Sequence, residues 1–168
     1  VQLVLHLELS YYDRLREIIV YPGAFMLPER MGVVLGEAKH WGQVILSWPA
    51  VLAGLHNPRD GHDTAAHEFA HVLDRADGAF DGTPRLREYS HYRAWASVMG
   101  EHFQAHRQGR RVERKVLDDY GALNEAEFFA VATESFFEKP QQMKKKTPEL
   151  YEEMRRFYGW DPAPGPPG

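Results

Sequence analysis

Residues 64–74 read Thr-Ala-Ala-His-Glu-Phe-Ala-His-Val-Leu-Asp and carry the strongest structural signal in the chain. The segment contains neither Gly nor Pro, and its apolar residues recur at helical spacing. It therefore predicts an α-helix with Asp63 or Thr64 as its N-cap. Apolar side chains occupy almost the whole circumference, which is typical of a buried helix. Two histidines lie on this helix, and buried imidazoles require partners.

His67 and His71 stand four residues apart and enclose Glu68. Residues at this spacing share one face of a helix, so both imidazoles can bind one zinc ion at about 2.0–2.1 Å. Glu68 projects about 100° round the helix axis, beside the ion, where it can accept a proton from a bound water. Chance alone produces this pattern about 0.04 times in a chain of this composition. The sequence therefore favours a metal site over a surface helix with two exposed histidines.

A catalytic zinc ion usually has three protein ligands and one position open to water. Candidates for the third ligand are the acidic residues and histidines Asp74, Glu125, Glu127, Glu134, His91, His102 and His106. Residues 124–137 stand out, because they predict a largely apolar helix on which Glu127 and Glu134 share one stripe. Glu127 also follows Asn124 by three residues, which is the spacing of a capping box. Residue chemistry alone leaves Glu127 between a metal ligand and a helix cap.

Short strands precede a run of helices in the predicted layout, which is an α+β pattern within one domain. The strand candidates, each bounded by Gly or Pro, are residues 18–20, 32–36 and 43–48. The helix candidates are residues 64–73, 87–108, 125–137 and 147–158. Residues 1–160 are expected to form one domain. Because the chain has no initiator Met, we also expect that an amino-terminal part of the full protein is missing. Residues 161–168, rich in Pro and Gly, are expected to be a disordered tail.

The composition excludes several classes of protein. Of 168 residues, 43% are hydrophobic and 12% aromatic, as in a globular domain rather than a disordered chain. The absence of cysteine excludes a thiol nucleophile, a disulfide framework and cysteine-ligated zinc. The net charge of −4 argues against a nucleic-acid partner, and no apolar run is long enough for a membrane span. The opening residues lack the features of a signal peptide. The protein is expected to be cytoplasmic.

Five further segments are informative when taken together with residues 64–74. They are Tyr21-Pro-Gly-Ala-Phe25, Gly42-Gln-Val-Ile-Leu-Ser-Trp48, Asp77-Gly78, Gly82-Thr-Pro84 and Glu127-Phe-Phe-Ala-Val131. The set resembles the Mlc titration factor A family of bacterial zinc metallopeptidases over about residues 18–137. The resemblance implies a zincin-like metallopeptidase domain, with a short mixed or antiparallel sheet followed by a mainly helical part. It also implies one zinc ion per chain as the cofactor.

Residues 120–130 read Tyr-Gly-Ala-Leu-Asn-Glu-Ala-Glu-Phe-Phe-Ala and are also similar to the catalytic domain of anthrax lethal factor, a gluzincin. In both families a glutamate that opens this helix is the third zinc ligand, and a tyrosine seven residues earlier assists the transition state. The resemblance therefore implies that His67, His71 and Glu127 bind the zinc ion. It further implies that Tyr120 is a catalytic residue.

The histidine ligands need hydrogen-bond acceptors of their own. Where lethal factor has a second carboxylate four residues after the glutamate ligand, this chain has Val131. The support is therefore expected from Glu134 or Asp74. His56 and His62 precede the zinc helix and are candidates for lining the cleft. The remaining expectations are surface positions for His91, His102 and His106, and a solvated linker between two helices at residues 144–146.

Two functions are compatible with these residues. The first is a zinc-dependent peptidase acting on a peptide or protein, with Glu68 as the general base and Tyr120 as a donor to the developing oxyanion. In the zincin layout that the resemblance implies, the strand at residues 43–48 is a sheet edge to which an extended substrate would add. The alternative, which the resemblance implies, is a protein-binding module that sequesters a transcriptional repressor, with little or no catalysis. The intact residue set favours the peptidase, because a pure binder needs neither the base nor the tyrosine.

Overall fold

The computed structural model describes residues 3, 6–26, 32–39 and 41–163. Strands come first: β1 (Glu17–Tyr21), β2 (Phe25–Met26), β3 (Val33–Val34), β4 (Gly36–Ala38) and β5 (Gln43–Ser47). Helices follow: α1 (Trp48–His56), α2 (Thr64–Asp74), α3 (His91–Arg107), α4 (Glu125–Glu138), α5 (Pro140–Lys146) and α6 (Pro148–Tyr158). This order confirms the α+β class. None of the helices within these ranges is both long and apolar enough to cross a membrane.

The main sheet has three strands in the order β1–β5–β4, with β5 parallel to β1 and antiparallel to β4. β2 and β3 pair separately as a short antiparallel ribbon. The prediction that residues 43–48 form a sheet edge was wrong. Val44, Ile45 and Leu46 are buried in a strand that has a neighbour on each side, and Trp48 already belongs to α1. The edge strand on the side of α2 is β4.

Helix α2 lies between the sheet and the other helices. On one side Val72 packs with Ala38 and Val44 of the sheet. On the other side Ala70 and Leu73 belong to the main core and are fully buried. The helix is therefore buried on two opposite faces, as its apolar circumference predicts.

The main core surrounds α4. This helix contributes Phe128, Phe129 and Phe136, none of which is more than 1% exposed. Trp95 of α3 and Tyr151 of α6 pack into the same core. Burial of each phenylalanine contributes about 1.5–3 kcal/mol, so packing on several sides holds α4 firmly beside α2.

Two capping interactions determine where the helices of the candidate site begin. The Asp63 carboxylate accepts a hydrogen bond from Ala66 N–H (3.0 Å) at the start of α2. Asn124 Oδ1 accepts one from Glu127 N–H (2.9 Å) at the start of α4. Each such cap contributes about 0.5–2 kcal/mol. The cap predicted at Asn124 therefore forms, and it engages the backbone of Glu127 rather than its carboxylate.

Two helices were not expected from the sequence. α1 carries a proline in its first turn, and so does α5, which includes residues 144–146 in place of the predicted linker. Proline is well suited to a first helical turn, because its missing N–H has no intrahelical partner there. Buried Met143 anchors α5, and the three lysines at its end interact favourably with the helix dipole. Both segments are too short to display a clear helical period.

Residues 161–163 differ from the expectation of a disordered tail. Ala163 is 1% exposed. Its carbonyl accepts a hydrogen bond from Lys144 Nζ (2.7 Å), and its N–H donates to Tyr151 Oη (3.1 Å). The segment is ordered because side chains of α5 and α6 satisfy its backbone. Residues 164–168, the rest of the predicted tail, lie outside the described residues.

The expectation that His91 and His106 lie on the surface was wrong, since neither is more than 4% exposed. His91 Nε2 lies 2.6 Å from Glu153 Oε2, and His106 Nε2 lies 2.9 Å from the carbonyl oxygen of Asp118. These partners come from distant segments, so no local pattern could reveal them. Both histidines are polar groups of the core, and one ring nitrogen of each, Nε2, lies next to an acceptor there.

Candidate metal centre

His67 and His71 of α2 converge with Glu127 of α4 on one point between the two helices. Glu127 Oε2 lies 3.0 Å from His67 Nε2 and 3.2 Å from His71 Nε2. One ligand atom from each side chain lies within 4.8 Å of the others. Within the described ranges, this is the only group of three or more His, Asp or Glu side chains close enough to share a metal ion.

Regular structure positions all three side chains. The two histidines are one helical turn apart, and their ring centroids are separated by 4.8 Å. Glu127 lies in the first turn of α4, which the Asn124 cap fixes. The three side chains are largely buried, with 7–13% of their surface exposed. The site is therefore held by two packed helices rather than by loops.

The chemistry of this cluster fits a metal ion. Glu134 Oε1 lies 2.8 Å from His67 Nδ1 and, when ionised, fixes the ring proton on that nitrogen. His67 Nε2 then presents a lone pair to the Glu127 carboxylate, and two acceptors 3.0 Å apart require a cation between them. Ligand atoms around a tetrahedral zinc ion lie about 3.3 Å apart, close to the separations found here. Imidazole and carboxylate donors suit a divalent metal.

The electrostatics favour a positive charge at the same place. Burial lowers the pKa of His67, but hydrogen bonds to Glu127 and Glu134 outweigh burial and raise it to about 10. Burial raises the pKa of Glu127, but hydrogen bonds to His67 and His71 outweigh burial and lower it to about 2. Burial lowers the pKa of His71. The carboxylates therefore hold one cation, either a proton on His67 or a metal ion.

Glu68 lies beside the cluster and against the edge strand β4. Its side chain is buried, and burial raises its pKa to about 7 against the opposing charge of His67. A Cβ at Gly36 would lie 2.7 Å from both Cγ and Oε1 of Glu68. Glycine in the edge strand therefore gives the carboxylate its room. A carboxyl group that titrates near neutral pH is suited to accepting and releasing a proton.

Tyr120 stands at the rim of the site. It lies in a 3₁₀ turn (Asp119–Ala122) that begins where its N–H donates to Asp118 Oδ1 (2.8 Å). The ring is half-exposed, and its centroid lies 5.8 Å from that of His67. The resemblance nominated this tyrosine, and the structure brings it to the cluster.

Glu134 and Asp74, the two candidates for supporting the histidines, have different surroundings. Glu134 contacts His67 Nδ1 and also accepts a hydrogen bond from Asp63 N–H (2.7 Å). Asp74 Oδ2 instead accepts one from Gly82 N–H (3.2 Å), and burial raises the pKa of Asp74 to about 7. Among the described residues, His71 Nδ1 has no hydrogen-bond partner. Of these two candidates, Glu134 is therefore the one that contacts a histidine of the cluster.

The remaining candidates lie apart from the cluster. Glu125 points to solvent in the first turn of α4. His102 Nδ1 lies 3.4 Å from Glu113 Oε1, while His91 and His106 have the core partners described above. His62 lines the cleft next to the cluster, and His56 is exposed on α1 with its Nδ1 2.7 Å from the Leu52 carbonyl.

The cluster opens into a cleft of about 880 Å³ whose walls include β4, α2 and α4. Gly36, Arg75 and Phe80 are among the residues of this cleft that sequence reasoning missed. A glycine inside a strand signals a close approach, so Gly36 could have been found from the sequence. Arg75 and Phe80 follow α2 without a recognisable pattern, and only the tertiary fold brings them to the cleft.

A His-His-Glu cluster on two packed helices, beside a small mixed sheet, defines a metallopeptidase-like α+β domain. The chain belongs to the family described as glucose-regulated metallo-peptidase M90, whose family model matches residues 1–159. The match confirms the family resemblance identified from the sequence.

Curated relatives are similar over 95% of the chain. "Uncharacterized protein slr2042" of Synechocystis sp. is 39% identical over 173 residues, which cover 63% of its length. "Mlc titration factor A" of Edwardsiella ictaluri is 31% identical over 176 residues, or 66% of its length. The protein of the same name from Pectobacterium atrosepticum is 28% identical over 173 residues, or 64% of its length. The chain thus spans slightly less than two thirds of each relative.

Proposed function

We propose that this chain is the catalytic domain of a zinc-dependent peptidase of the gluzincin type. The observation that carries the proposal is the convergence of both histidines on one oxygen of Glu127, with Glu68 next to them. His67, His71 and Glu127 would hold one zinc ion, and Glu134 would orient His67. When bound, the ion supplies Lewis-acid polarisation of a scissile carbonyl and makes a neighbouring water more acidic.

Proton transfer is assigned to Glu68. Its carboxylate takes a proton from the attacking water and then gives it to the nitrogen of the leaving amine. The buried position beside β4 keeps this group from being surrounded by bulk water, and its raised pKa suits both transfers. Tyr120 donates a hydrogen bond from its hydroxyl to the developing oxyanion. Removal of such a donor typically lowers turnover by a factor of about 10²–10³.

The substrate is expected to bind along β4 rather than β5. Leu35 and Lys39 bond through their backbones to β5, so the peptide groups of the alternate residues Gly36 and Ala38 face the cleft. Arg75 Nη1 already donates to the Ala38 carbonyl (2.5 Å). The peptide group of Gly36 therefore supplies the main-chain hydrogen bonds for an extended peptide.

Metal content and turnover, measured together, test this proposal. About one zinc ion per chain is expected in the wild type and in Glu125→Gln, whose carboxylate faces solvent on the same turn, and a clear loss is expected in Glu127→Ala. Glu68→Gln should retain zinc and lose cleavage of a peptide mixture analysed by mass spectrometry. Full zinc occupancy in Glu127→Ala, or full cleavage by Glu68→Gln, would contradict the corresponding assignment.

A protein-binding role is the second candidate, because relatives 31% and 28% identical over 95% of the chain are named Mlc titration factor A. In this reading the chain binds a transcriptional repressor in the cytoplasm. A pull-down of purified Mlc-type repressor with the wild type and with Glu68→Gln separates the two roles. Repressor binding by both proteins, with no turnover by the wild type, would favour the binding module.

A further inference from the structure

Arg75 places a cation in the cleft one helical turn beyond His71. Its guanidinium carbon lies 3.9 Å from the centre of the Phe80 ring, which also contacts the His71 ring at 5.2 Å. Phe80 therefore links Arg75 to the metal cluster through direct contacts. One helical turn is about 5.4 Å, so the guanidinium is within reach of a substrate residue close to the scissile bond.

The guanidinium is only partly satisfied by the protein. Nη1 donates to the Ala38 carbonyl, and a guanidinium has five N–H donors in one plane. Phe80 covers one face of that plane and leaves its edges open. None of the ion pairs that Lys and Arg form among the described residues includes Arg75. Donors of a half-buried cation therefore remain available in the cleft.

The neighbouring carboxylates have other partners. Glu37 lies 2.8 Å from Lys39 Nζ. Glu127 is bound by the two histidines, and Asp74 accepts from the backbone of Gly82. Glu68 is directed at β4 beside Gly36. These four carboxylates act on Arg75 electrostatically, but none of them forms an ion pair with it. A carboxylate delivered by a ligand would therefore meet a guanidinium able to form a bidentate pair.

We propose that Arg75 binds a carboxylate of the peptide substrate, with Phe80 holding the guanidinium in orientation. The inference rests on the proposed peptidase function and names a substrate class for the same cleft. An extended peptide advances about 3.3–3.6 Å per residue, so the carboxylate belongs within about two residues of the scissile bond. It is either an Asp or Glu side chain or the carboxyl terminus, because both present the same two oxygens.

Peptide binding to zinc-loaded Glu68→Gln protein tests the proposal without requiring turnover. The probes are alanine hexapeptides with an amino-terminal fluorophore, as free acids or amides, and amides with one Asp or one Asn at each position in turn. A charge-assisted bidentate contact predicts about tenfold to a hundredfold tighter binding of the matching carboxylate peptide. The free-acid arm identifies the carboxyl terminus, and the Asp arm identifies a side chain.

Substitution of Arg75 in the same background should remove this preference. Arg75→Gln keeps a donor for Ala38 and is expected to bind acid and amide peptides about equally, whereas Arg75→Lys should retain part of the preference. Arg107→Gln is the matched control, since Arg107 lies 5.5 Å from the Phe103 ring on α3, outside the cleft. Zinc content and melting temperature should be the same in all variants.

The possible results test the carboxylate site and the peptidase function separately. Two results would overturn the carboxylate site and leave the peptidase proposal standing. One is equal binding of acid and amide peptides by Glu68→Gln protein that retains Arg75, and the other is a preference that survives in Arg75→Gln. A carboxylate preference that depends on Arg75, combined with no cleavage of any peptide by the wild type, would support the site and overturn the peptidase. No binding of any peptide would contradict both.

Discussion

Gly36 is the residue at which the edge strand comes closest to the proposed general base. The space for a Cβ there is taken by the Glu68 side chain and, at 2.8 Å, by Thr64 Cγ2. Thr64 and Glu68 are one turn apart on the same face of α2. An added methyl group must therefore push the strand away from the helix or rotate the carboxylate. Misplacement of a reacting group by about 1 Å can reduce a rate about a hundredfold.

We expect Gly36→Ala to lower kcat for peptide hydrolysis by about tenfold or more. Zinc content should stay at the wild-type value, because none of the metal-binding side chains is touched. Gly100→Ala is the control, since nothing lies within 4 Å of a Cβ at that position. Turnover and zinc content per chain are the measurements. Equal kcat values for the two variants would show that Glu68 does not depend on Gly36.

Glu134 and Asp74 were equivalent candidates in the sequence, and their contacts now distinguish them. Glu134→Gln should weaken zinc binding about 10–100-fold, because a neutral amide oxygen accepts the hydrogen bond from His67 Nδ1 more weakly than the carboxylate does. Asp74→Asn should leave zinc affinity within a few-fold, since Asp74 bonds to Gly82 and to neither histidine. Competition with a fluorescent chelator measures both affinities. A larger loss in Asp74→Asn than in Glu134→Gln would reverse this assignment.

At the scale of elements, the helices that carry the cluster were predictable because their signals are local. α2 and α4 have side-chain N-caps, helical periods and no internal breakers, and these features lie within a few residues of one another. His67, His71 and Glu68 follow from spacing on a single helix. Glu127 needed the family resemblance, because its own sequence context serves a cap equally well.

The elements that were missed depend on partners far away in the chain. β5 was expected at a sheet edge from the layout that the family resemblance implies, and its pairing with β1 and β4 makes it central. Arg75 and Phe80 have no spacing that marks a binding site, and the fold alone brings them to the cleft. Buried His91 likewise depends on Glu153 of α6. Pairings at such sequence separations leave no mark in a local window.

The junction between α4 and the segment before α2 should respond to pH. Glu138 accepts hydrogen bonds from the N–H groups of Gly61 (2.7 Å) and His62 (2.9 Å). Burial nevertheless raises the pKa of Glu138 from its ordinary 4.5 to about 7. The folded state then binds the proton more tightly than the unfolded state. The stability that protonated Glu138 contributes is therefore complete below pH 4.5. It is lost as the pH rises to about 7 and is constant above that value.

Glu138→Gln should therefore gain stability relative to the wild type between pH 4.5 and 7. The relative gain is expected to be about 1 kcal/mol, because solvent screening reduces the roughly 3 kcal/mol that the full shift in pKa would give. Free energies of unfolding in urea at several pH values provide the measurement. Glu149→Gln, an exposed substitution on α6, is the matched control. A difference between Glu138→Gln and the wild type that stays constant from pH 4.5 to 7 would contradict the prediction.

At the scale of the whole molecule, the cluster joins the helix that faces the sheet to the helix at the centre of the main core. Metal binding should therefore stabilise the entire domain. Zinc at about 100 times its dissociation constant contributes about 2.7 kcal/mol, which corresponds to about 5–10 °C in Tm for a domain of this size. Chelator-treated protein should regain this increase when zinc is added. Glu127→Ala should not, and an equal increase in that variant would place the ion elsewhere.

The side chains of the cluster are synthesised at different times, because His67 and Glu127 are 60 positions apart. During synthesis both histidines leave the ribosome well before the glutamate does. At about 5–20 residues per second, the interval is about 3–12 s. For that interval the nascent chain offers an ion only the imidazole pair. The proposed set of three ligands is therefore complete only after the second helix has been made and docked, so the finished domain, and not its first helix, would select the ion.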